Sequence, residues 1–566
     1  MSSPESQAFQ EPLYKENLNK LCKYAFSQPK SNDIYDAYLV QMFARTLDAV
    51  DALKSEVPIL GKREPLNFDI AKKASLIESG LSVKNTIEEI ARYLEGMTIW
   101  GHSRTQVNVV PPPSIPSLVG ILAAALCNPN LAWDKYSHKV ALAEVEVVSI
   151  MSQLIGYNPE EAGGVFTFGG TGTILYAMKV GLEKVIPDAM KKGVSREDQP
   201  VIFASNCSHY SHHNVAAWLG IGTDSVIEIS TNEHNQMNIE ELRDKARAAL
   251  KEGKKIVGII CTIGTTDAFG IDDLQAVVQF RDDLVTEFNL SDQNKPHIHA
   301  DAVIGWVWSV FNNYPWDENP LGFHRRTIHA LASAQDYIQH LCLADSVGID
   351  FHKTGFCPCV SSLVLFKEKK NLELLTRKKD DIPYLFDSGE YHPGLYTLET
   401  SRSGQGVLAA LANLRSFGKD GFQAIIGHLV EMTELLRANL GGHSHTTVLN
   451  SENYGTVTLF RVYPELVHHE RIANLEFKNS KYRETLQKHN EYNRAIYEYL
   501  DREAMAGKGV LLSWTECYRH TSYGNGEIEE KVPALKSYIL SPFVDEDSVN
   551  LVVDKVLEAR RKVGGV

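Results

Sequence analysis

Three stretches of the sequence carry residue types that could act on a single substrate, and the first is a glycine turn. Gly169, Gly170 and Thr171 lie between a short apolar run and a helical pattern. Backbone N–H groups, a hydroxyl and the positive end of a helix dipole would converge at this point, which suits a phosphate. The glycine spacing fits neither a P-loop nor a dinucleotide-binding fingerprint, and a tight structural turn explains the stretch equally well.

The second and third stretches each place a charged residue beside an apolar run. Asp301 ends the run PHIHAD, and an acid there is costly to bury unless a cation or a hydrogen bond meets it. A helix N-cap or a solvated loop acid is the commoner role of a single aspartate. Lys353 follows His352 beside another apolar run. A partly desolvated lysine near other cationic groups is more readily neutral, and a neutral amine attacks an aldehyde.

Together these features match the needs of one cofactor, pyridoxal 5'-phosphate (PLP). PLP requires a phosphate cup, a lysine that binds its aldehyde covalently and a carboxylate on its pyridine nitrogen. The three features occur in one α/β chain, in this order. The sequence therefore predicts a PLP site.

The pattern of secondary structure predicts a fold that brings these residues together. From residue 161, β-rich runs such as PVIFAS, KKIVGIICTIGTT, KPHIHADAVIGW and SSLVLFKE alternate with amphipathic helices. This alternation is typical of an α/β fold with a mainly parallel central sheet and helices on both faces. Ligands of such sheets bind beyond the carboxyl ends of the strands.

We predict three parts along the chain. Residues 1–100 form an N-terminal helical segment, since apolar residues recur there every three or four positions. Residues 101–420 form the large PLP-binding domain, and residues 421–566 form a small C-terminal α+β domain. A long polar helix is predicted within the last part, around residues 481–505.

Composition and charge exclude several classes of protein. The 566 residues are 43% hydrophobic with a net charge of −14, and the absence of a basic run argues against a nucleic-acid partner. The N-terminus lacks a signal-peptide pattern, and the run from Ile115 is too short to cross a bilayer. We expect a cytoplasmic protein with no membrane partner. The eight cysteines form no CxxC pair, so we expect reduced thiols and no metal.

Five motifs in collinear order resemble the PLP-dependent group II amino-acid decarboxylases, which include glutamate, aromatic amino-acid and cysteine-sulfinate decarboxylases. The motifs are TFGGTGT, SNCSHYSHHNVAAWLGIG, TIGTTDAFGIDDL, IHADAVIGW and ADSVGIDFHKTGF. The resemblance covers roughly residues 102–402. It implies a fold-type I PLP-dependent transferase fold, a small-molecule amino-acid substrate and an obligate homodimer with shared active sites.

The resemblance also implies roles for individual residues. Lys353 would bind the cofactor, Asp301 would keep its pyridine nitrogen protonated, and His209 would stack on its ring. A surface position in a polar cluster with His212 and His213 is the alternative for His209. The implied cofactor contacts are Gly170, Thr171, His209, Thr265, Thr266, Asp301, Val303, Ser346, His352 and Lys353.

The stretch PYLFDSGEYHPGLYTLETSRSG resembles the segment that carries the mobile catalytic loop of the family. Tyr391 is the candidate for the tyrosine that returns a proton to the substrate Cα after CO2 leaves. Tyr384 and Tyr396 compete for this role, and His392 could do similar acid work. Arg402 matches a family arginine and is a candidate substrate contact, with a surface position at a helix start as the alternative.

Residues 100–126 resemble the family's pocket segment, and they offer Arg104 and Asn108 as substrate contacts. Lys536 lies close to the place of a substrate-binding arginine in glutamate decarboxylases. These residues favour an acidic or polar amino acid such as glutamate, aspartate or cysteine sulfinate. Val109 and Val110, with the prolines that follow them, could instead wall an aromatic ring, so an aromatic L-amino-acid decarboxylase is the alternative.

The chain departs from the family pattern at several positions. They are Ser103, Gly172, Ile174 and Asp267, and they bear on the identity of the substrate rather than the cofactor. Two other functions stay open. One is a carbon–carbon lyase resembling sphingosine-phosphate lyase, and the other is a non-catalytic PLP-fold binding protein, which would be expected to lose Lys353 or Asp301.

Overall fold

The computed structural model describes residues 12–377, 389–464, 469–524 and 528–564. The chain divides into two compact units. One comprises residues 12–99 with 505–507, and the other comprises the described residues of 100–504 and 508–564. The predicted boundary near residue 420 falls beside Gly418, where a long helix has non-helical backbone angles. The three-part division stays a prediction.

The first unit is helical, as its periodicity predicts. Polar side chains cap three of its helices. Asn32 accepts the backbone N–H groups of Ile34 and Tyr35, Asn67 accepts that of Ile70, and Ser82 accepts that of Asn85. The helices of this unit are α1 (Leu13–Tyr24), α2 (Asp33–Asp51), α3 (Phe68–Ala71) and α4 (Val83–Arg92).

The second unit contains two sheets and most of the helices. Its strands are β1 (Thr105–Gln106), β2 (Gly163–Thr167), β3 (Pro200–Ser205), β4 (Val226–Ile229), β5 (Lys255–Thr262), β6 (His297–Asp301), β7 (Ser346–Asp350), β8 (Ser362–Phe366), β9 (Thr446–Val448), β10 (Val457–Val462), β11 (Leu511–His520) and β12 (Lys531–Tyr538). Its helices are α5 (Ile115–Cys127), α6 (Asp134–Ser137), α7 (Lys139–Ile155), α8 (Gly170–Val185), α9 (Ala189–Lys192), α10 (Ser211–Trp218), α11 (Ile239–Lys251), α12 (Leu274–Glu287), α13 (Arg325–Ile338), α14 (Lys370–Glu373), α15 (Gln405–Gly441), α16 (His469–Lys478), α17 (Arg483–Met505) and α18 (Glu546–Val563).

The central sheet has seven strands in the order β2-β8-β7-β6-β5-β3-β4. The strands from β7 to β4 run parallel, and β8 runs antiparallel to both of its neighbours. Every residue of β6, β7 and β8 is buried, which is typical of a sheet covered on both faces. The predicted α/β fold with a mainly parallel central sheet is confirmed.

A second sheet has five strands in the order β1-β11-β12-β10-β9. Except for the parallel pair of β1 and β11, its strands pair antiparallel. The strand expected in YGTVTLFRVY is β10, and the helix expected around residues 481–505 is α17. Among the described residues, no helix combines the length and apolar character needed to cross a bilayer.

The parallel arrangement decides where the chemically interesting residues meet. Strands β3, β5, β6 and β7 all point the same way, so their carboxyl ends lie at one edge of the sheet. The antiparallel β8 begins at this edge, where Ser362 pairs with Asp350. Because the loops after these strands carry the predicted site residues, the fold brings these residues together at one edge of the sheet.

Helix α8 packs closely on the sheet because of its glycines. A Cβ at Gly181 would lie 2.4 Å from the carbonyl oxygen of Val257, and a Cβ at Gly172 would lie 2.5 Å from the hydroxyl of Thr167. Both distances are too short for any side chain. The departure from the family pattern at Gly172 therefore has a packing reason.

Candidate active site

The carboxyl ends of the central strands enclose a cavity of about 130 Å³. It contains most of the predicted cofactor residues, together with several that the sequence did not single out. The lining residues are Gly170, Thr171, His209, Ser211, Thr262, Gly264, Thr266, Asp301, Val303, Ile304, Asp350, His352 and Lys353.

The amino-terminal end of α8 forms one wall of this cavity. Gly169 caps the helix with φ 111°, a backbone conformation that favours glycine. A Cβ at Gly170 would lie 3.1 Å from both Asp350 Oδ2 and Val303 Cγ1, so a larger residue would narrow the cavity. The free N–H groups of the first helical turn and the Thr171 hydroxyl suit a phosphate.

Lys353 and Asp350 form an ion pair on the floor of the cavity. The Nζ of Lys353 lies 3.1 Å from Oδ2 of Asp350. Asp350 is 1% exposed, and its other oxygen accepts a 2.6 Å hydrogen bond from the Ser362 hydroxyl. The Nε2 of His352 lies 3.6 Å from the same carboxylate, while its Nδ1 donates to the carbonyl of Ser361 at 3.1 Å. The lysine is thereby held at the cavity by a fixed carboxylate.

Asp301 ends β6 and brings a second buried carboxyl group to the cavity. Its Oδ1 is buried and has no hydrogen-bond partner among the described residues. Burial raises the pKa of Asp301 to about 6, although the charge of Lys353 acts in the opposite direction. A buried carboxylate oxygen without a partner calls for a cationic N–H group. The protonated pyridine nitrogen of PLP is such a group, so the residues present fit the cofactor.

His209 lies at the amino-terminal end of α10. Its Nδ1 accepts the backbone N–H of Ser211 at 3.3 Å, so in the neutral ring the proton is on Nε2. Burial, assisted by the charge of Lys353, lowers the pKa of His209. The exposed imidazole of His209 offers a flat surface to a ring bound in the cavity.

Comparison with known proteins decides the family. The family model described as the pyridoxal-dependent decarboxylase conserved domain matches residues 65–306 and 331–462, which is more than half of the chain. The chain belongs to this family of pyridoxal-dependent decarboxylases. Its cofactor is therefore PLP, and the protein is a PLP-dependent carboxy-lyase, so the resemblance found in the motifs is confirmed.

Individual relatives of this decarboxylase share low sequence identity with it. The L-2,4-diaminobutyrate decarboxylase of Rhizobium meliloti (strain 1021) is 26% identical over 398 residues, which are 68% of this chain and 70% of the relative. An acidic amino acid decarboxylase of Xenopus tropicalis is 23% identical over 445 residues, 78% of this chain and 76% of the relative. The crystal structure of mouse CSAD aligns with a TM-score of 0.73 at 19% identity, covering 94% of this chain and 99% of that one.

Two predicted cofactor contacts of the decarboxylase lie elsewhere. The hydroxyl of Ser346 lies between the rings of His297 and His299, at 2.7 and 2.9 Å, because Ser346 begins β7 and the cavity is at the opposite end of that strand. Thr265 is buried in a turn, where its hydroxyl accepts the backbone N–H of Gly270 at 2.9 Å. The expectation for these two residues is corrected, whereas Thr266 and Val303 do line the cavity.

Tyr391 is not placed for proton transfer within its own subunit of the decarboxylase. Its hydroxyl donates to Glu144 at 3.0 Å, and burial, together with Glu144, raises the pKa of Tyr391 far above its usual value. Its competitor Tyr396 is half-buried and packs against an apolar cluster, and Tyr384 lies outside the described residues. The contact with Glu144 does not support the proton-donor role of Tyr391, which stays a prediction.

Arg402 is a buried structural residue rather than a surface arginine. It is 6% exposed, and both of its terminal nitrogens contact the fully buried carboxylate of Glu144. It also donates to the carbonyl oxygens of Leu131 and Phe166, at 2.9 and 3.2 Å. Since these partners occupy its terminal nitrogens, the expected substrate-binding role is corrected.

The predicted pocket segment forms an edge of the five-stranded sheet. Backbone hydrogen bonds join Arg104 to Leu511 at 2.8 Å, and the N–H of Asn108 donates to the Ser513 hydroxyl at 3.1 Å. The side-chain oxygen of Asn108 accepts the N–H of Val109 at 2.9 Å. Neither Arg104 nor Asn108 is among the residues that line the cavity, so their substrate role in this subunit is not supported.

Lys536 of β12 is not among the residues that line the cavity, and its charge is already paired. Its Nζ lies 2.6 Å from Oδ1 of Asp267, and the Thr515 hydroxyl donates to Oδ2 of the same carboxylate at 3.1 Å. Asp267 directly follows Thr266, which lines the cavity. The side chain of Lys536 is 8% exposed, whereas that of Asp267 is 40% exposed. The accessible group of this pair is therefore the carboxylate.

Sequence reasoning missed Asp350, Ser362, Thr262 and Ser211. A signal existed for Asp350, because ADSVGID ends in an acid just as PHIHAD ends in Asp301. The two carboxylates converge because β6 and β7 are parallel neighbours. The three hydroxyl residues carried no comparable signal, since serine and threonine are common at the ends of strands.

Proposed function

We propose that this chain is an L-amino-acid α-decarboxylase that acts as a homodimer on an amino acid with a polar side chain, of which one with an ammonium group is favoured. One observation supports this reaction type most directly. Asp301, whose Oδ1 is buried without a hydrogen-bond partner among the described residues, lines the same cavity as Lys353. When bound, PLP supplies the electron sink into which the bond between Cα and the carboxylate breaks.

The residues of the chain divide the remaining work between them. Asp350 holds Nζ of Lys353 at the cavity, where it can bind the cofactor aldehyde covalently. Asp301 would keep the pyridine nitrogen protonated, and the first turn of α8 with Thr171 and His352 would hold the phosphate. His209 would cover one face of the ring and exclude water from it. These fixed groups would orient the substrate for loss of its carboxylate.

The proton that replaces CO2 on Cα needs a donor outside the rigid cavity. Tyr391 is held by Glu144, so we propose Tyr384 as the donor, since it is the remaining tyrosine early in the loop segment. A tyrosine hydroxyl close to Cα can return this proton after CO2 has left.

Exposed apolar side chains around the cavity support a homodimer. Phe168 precedes the glycine turn, Tyr210 follows His209, and Val360 follows the lysine loop, and these side chains are 42%, 67% and 51% exposed. Helix α5 exposes a further apolar row, formed by Ile115, Leu118, Val119, Leu122 and Leu126. Apolar patches of this kind mark interfaces between subunits. A second copy would therefore cover the rim of the cavity.

A cytoplasmic location is also part of the proposal. All eight cysteines of the chain are free thiols, which suits a reducing compartment.

Size-exclusion chromatography with light scattering tests the proposed homodimer. A species of one chain at micromolar concentration would contradict the homodimer.

The pair of Asp267 and Lys536 supports the choice of substrate. The sequence favoured an acidic amino acid because Lys536 could meet a carboxylate. That ammonium is buried and already neutralised by Asp267, so a second carboxylate there would meet net repulsion from the exposed oxygen of Asp267. A side-chain ammonium would instead gain a charge-assisted hydrogen bond, worth about 1.5–3 kcal/mol.

A competition assay tests this choice. The holoenzyme is given 2,4-diaminobutyrate, glutamate, aspartate and tyrosine together, and each amine product is quantified to rank kcat/KM. We expect kcat/KM to be highest for diaminobutyrate. Asp267→Asn should reduce kcat/KM for diaminobutyrate by about ten-fold or more, with little effect on kcat/KM for tyrosine. A clear preference for glutamate or tyrosine would contradict the proposed substrate but not the proposed decarboxylase activity. Absence of amine from every substrate would contradict the α-decarboxylase activity itself.

A further inference from the structure

Two histidines and a glutamate cluster beside the active site without taking part in it. His212 and His213 begin α10, and Glu228 lies on the edge strand β4. One ligand atom from each of the three residues lies within 4.8 Å of the other two. Nε2 of His213 is 3.0 Å from Oε1 of Glu228. None of the three is among the residues that line the PLP cavity.

His212 is the unexplained member of this cluster. Its side chain is 2% exposed, and neither of its ring nitrogens makes a hydrogen bond of good geometry within the described parts of the chain. A buried polar group without a partner is costly, and its presence calls for a ligand.

The donor set and its geometry match a transition-metal ion. Two imidazoles and a carboxylate are ligands that Zn²⁺ and Co²⁺ accept, usually with water in the fourth position. Bonds of about 2.0–2.1 Å in a tetrahedral site place ligand atoms roughly 3.4 Å apart, so atoms within 4.8 Å of one another need only a small movement. The side chains of His213 and Glu228 are 35% and 50% exposed and can move, while buried His212 is fixed.

We propose that His212, His213 and Glu228 form a binding site for one divalent transition-metal ion of the Zn²⁺ type. The ion would join the first turn of α10 to β4. Because His209 lies three residues before His212, the same ion would hold the segment that carries this active-site ring. The site is separate from the cavity that holds Lys353 and Asp301, because none of its three residues lines that cavity.

Cobalt titration of the holoenzyme tests the proposal. After dialysis against a chelator, Co²⁺ is added and its d–d absorption is followed, with Zn²⁺ competition as a second measurement. Wild-type protein is expected to bind one equivalent of Co²⁺ that one equivalent of Zn²⁺ displaces. Glu228→Gln and His213→Asn should each weaken binding by at least about 10-fold, since loss of a residue that merely orients a ligand already has an effect of this size. These two variants are used because both side chains are partly exposed, whereas a substitution at the buried His212 would disturb folding.

A matched control uses another histidine–glutamate pair of the same chain. His234 and Glu452 lie 3.4 Å apart with side chains 38% and 65% exposed, and they are not part of the described metal-ligand cluster. His234→Asn should leave the titration unchanged. Equal loss of binding in His234→Asn, unchanged binding in Glu228→Gln and His213→Asn, or an adventitious ion only, bound weakly and without defined stoichiometry, would each overturn the proposal.

Discussion

Oδ2 of Asp350 lies 3.1 Å from Nζ of Lys353, and the carboxylate is 1% exposed. Asp350 ends β7 and Lys353 follows three residues later, so the strand fixes the acid and the turn returns the lysine to it. Removing one partner of a buried ion pair leaves the other charge uncompensated. This pair therefore bears on both the stability of the apoenzyme and the placement of the reactive amine.

The first prediction concerns this ion pair. Asp350→Asn keeps the shape of the side chain but removes its charge, so we expect the free energy of unfolding of the apoenzyme to fall by about 1.5–3 kcal/mol. Urea unfolding followed by circular dichroism measures the change. Asp198→Asn is the control, because Asp198 pairs with Lys255 at 2.9 Å near the surface, where the loss should be at most about 1 kcal/mol. Equal losses in the two variants would contradict a special role for Asp350.

The second prediction concerns the covalent attachment of PLP. Lys353 is the lysine that lines the cavity, so purified wild-type protein should be yellow, and Lys353→Ala should lose the visible absorbance of the cofactor after dialysis. Lys295→Ala, which alters a surface pair with Asp282, should keep it. An undiminished visible band in dialysed Lys353→Ala would show that another residue binds the cofactor.

The third prediction is a pH dependence that the cofactor abolishes. Burial raises the pKa of Asp301 from 3.8 to about 6, so the folded apoenzyme holds this proton more tightly than the unfolded chain does. Its contribution to the free energy of unfolding therefore falls as the pH rises from about 4 to about 6, by about 3 kcal/mol in total. The measurement is urea unfolding at several pH values, with and without PLP.

Two comparisons make this prediction specific to Asp301. Asp301→Asn should lack this part of the pH dependence in the apoenzyme, and bound PLP should remove it from the wild type, since a protonated pyridine nitrogen would pair with the carboxylate. The holoenzyme of Asp301→Asn should turn over orders of magnitude more slowly, because the protonated ring is needed in the transition state. Near wild-type turnover in this variant would exclude the role.

The fourth prediction separates two tyrosines. Tyr391 donates to Glu144 at 3.0 Å, so Tyr391→Phe should lower the free energy of unfolding by about 1–3 kcal/mol and still release amine and CO2 in equal amounts. Tyr384→Phe should release CO2 but return the proton to the cofactor side instead of Cα. Hydrolysis would then give aldehyde and pyridoxamine phosphate in place of part of the amine. Product analysis by mass spectrometry decides between them, and aldehyde from Tyr391→Phe alone would reverse the assignment.

The sequence by itself determined the α/β class, the cofactor and most of the residues that line the cavity. These features are local, because a strand, the turn after it and the next helix are adjacent in the chain. Gly170 and Thr171 were found in this way, whereas His209 was found from the resemblance to the family. Parallel strands then bring the loops that carry these residues to one edge of the sheet. The same local logic, applied to ADSVGID, would have found Asp350.

Only the tertiary structure decided the contacts between residues far apart in the chain. Tyr391 and Arg402 are bound by Glu144, about 250 positions earlier, and Lys536 is neutralised by Asp267 on a different element. Ser346 and Asp350 share one strand, but the strand direction brings only Asp350 to the cavity. Such outcomes depend on register, strand direction and the packing of separate elements. Residue types and spacing do not specify these contacts. An arginine, lysine or tyrosine has the same sequence pattern whether its partner is a substrate or a carboxylate of the protein.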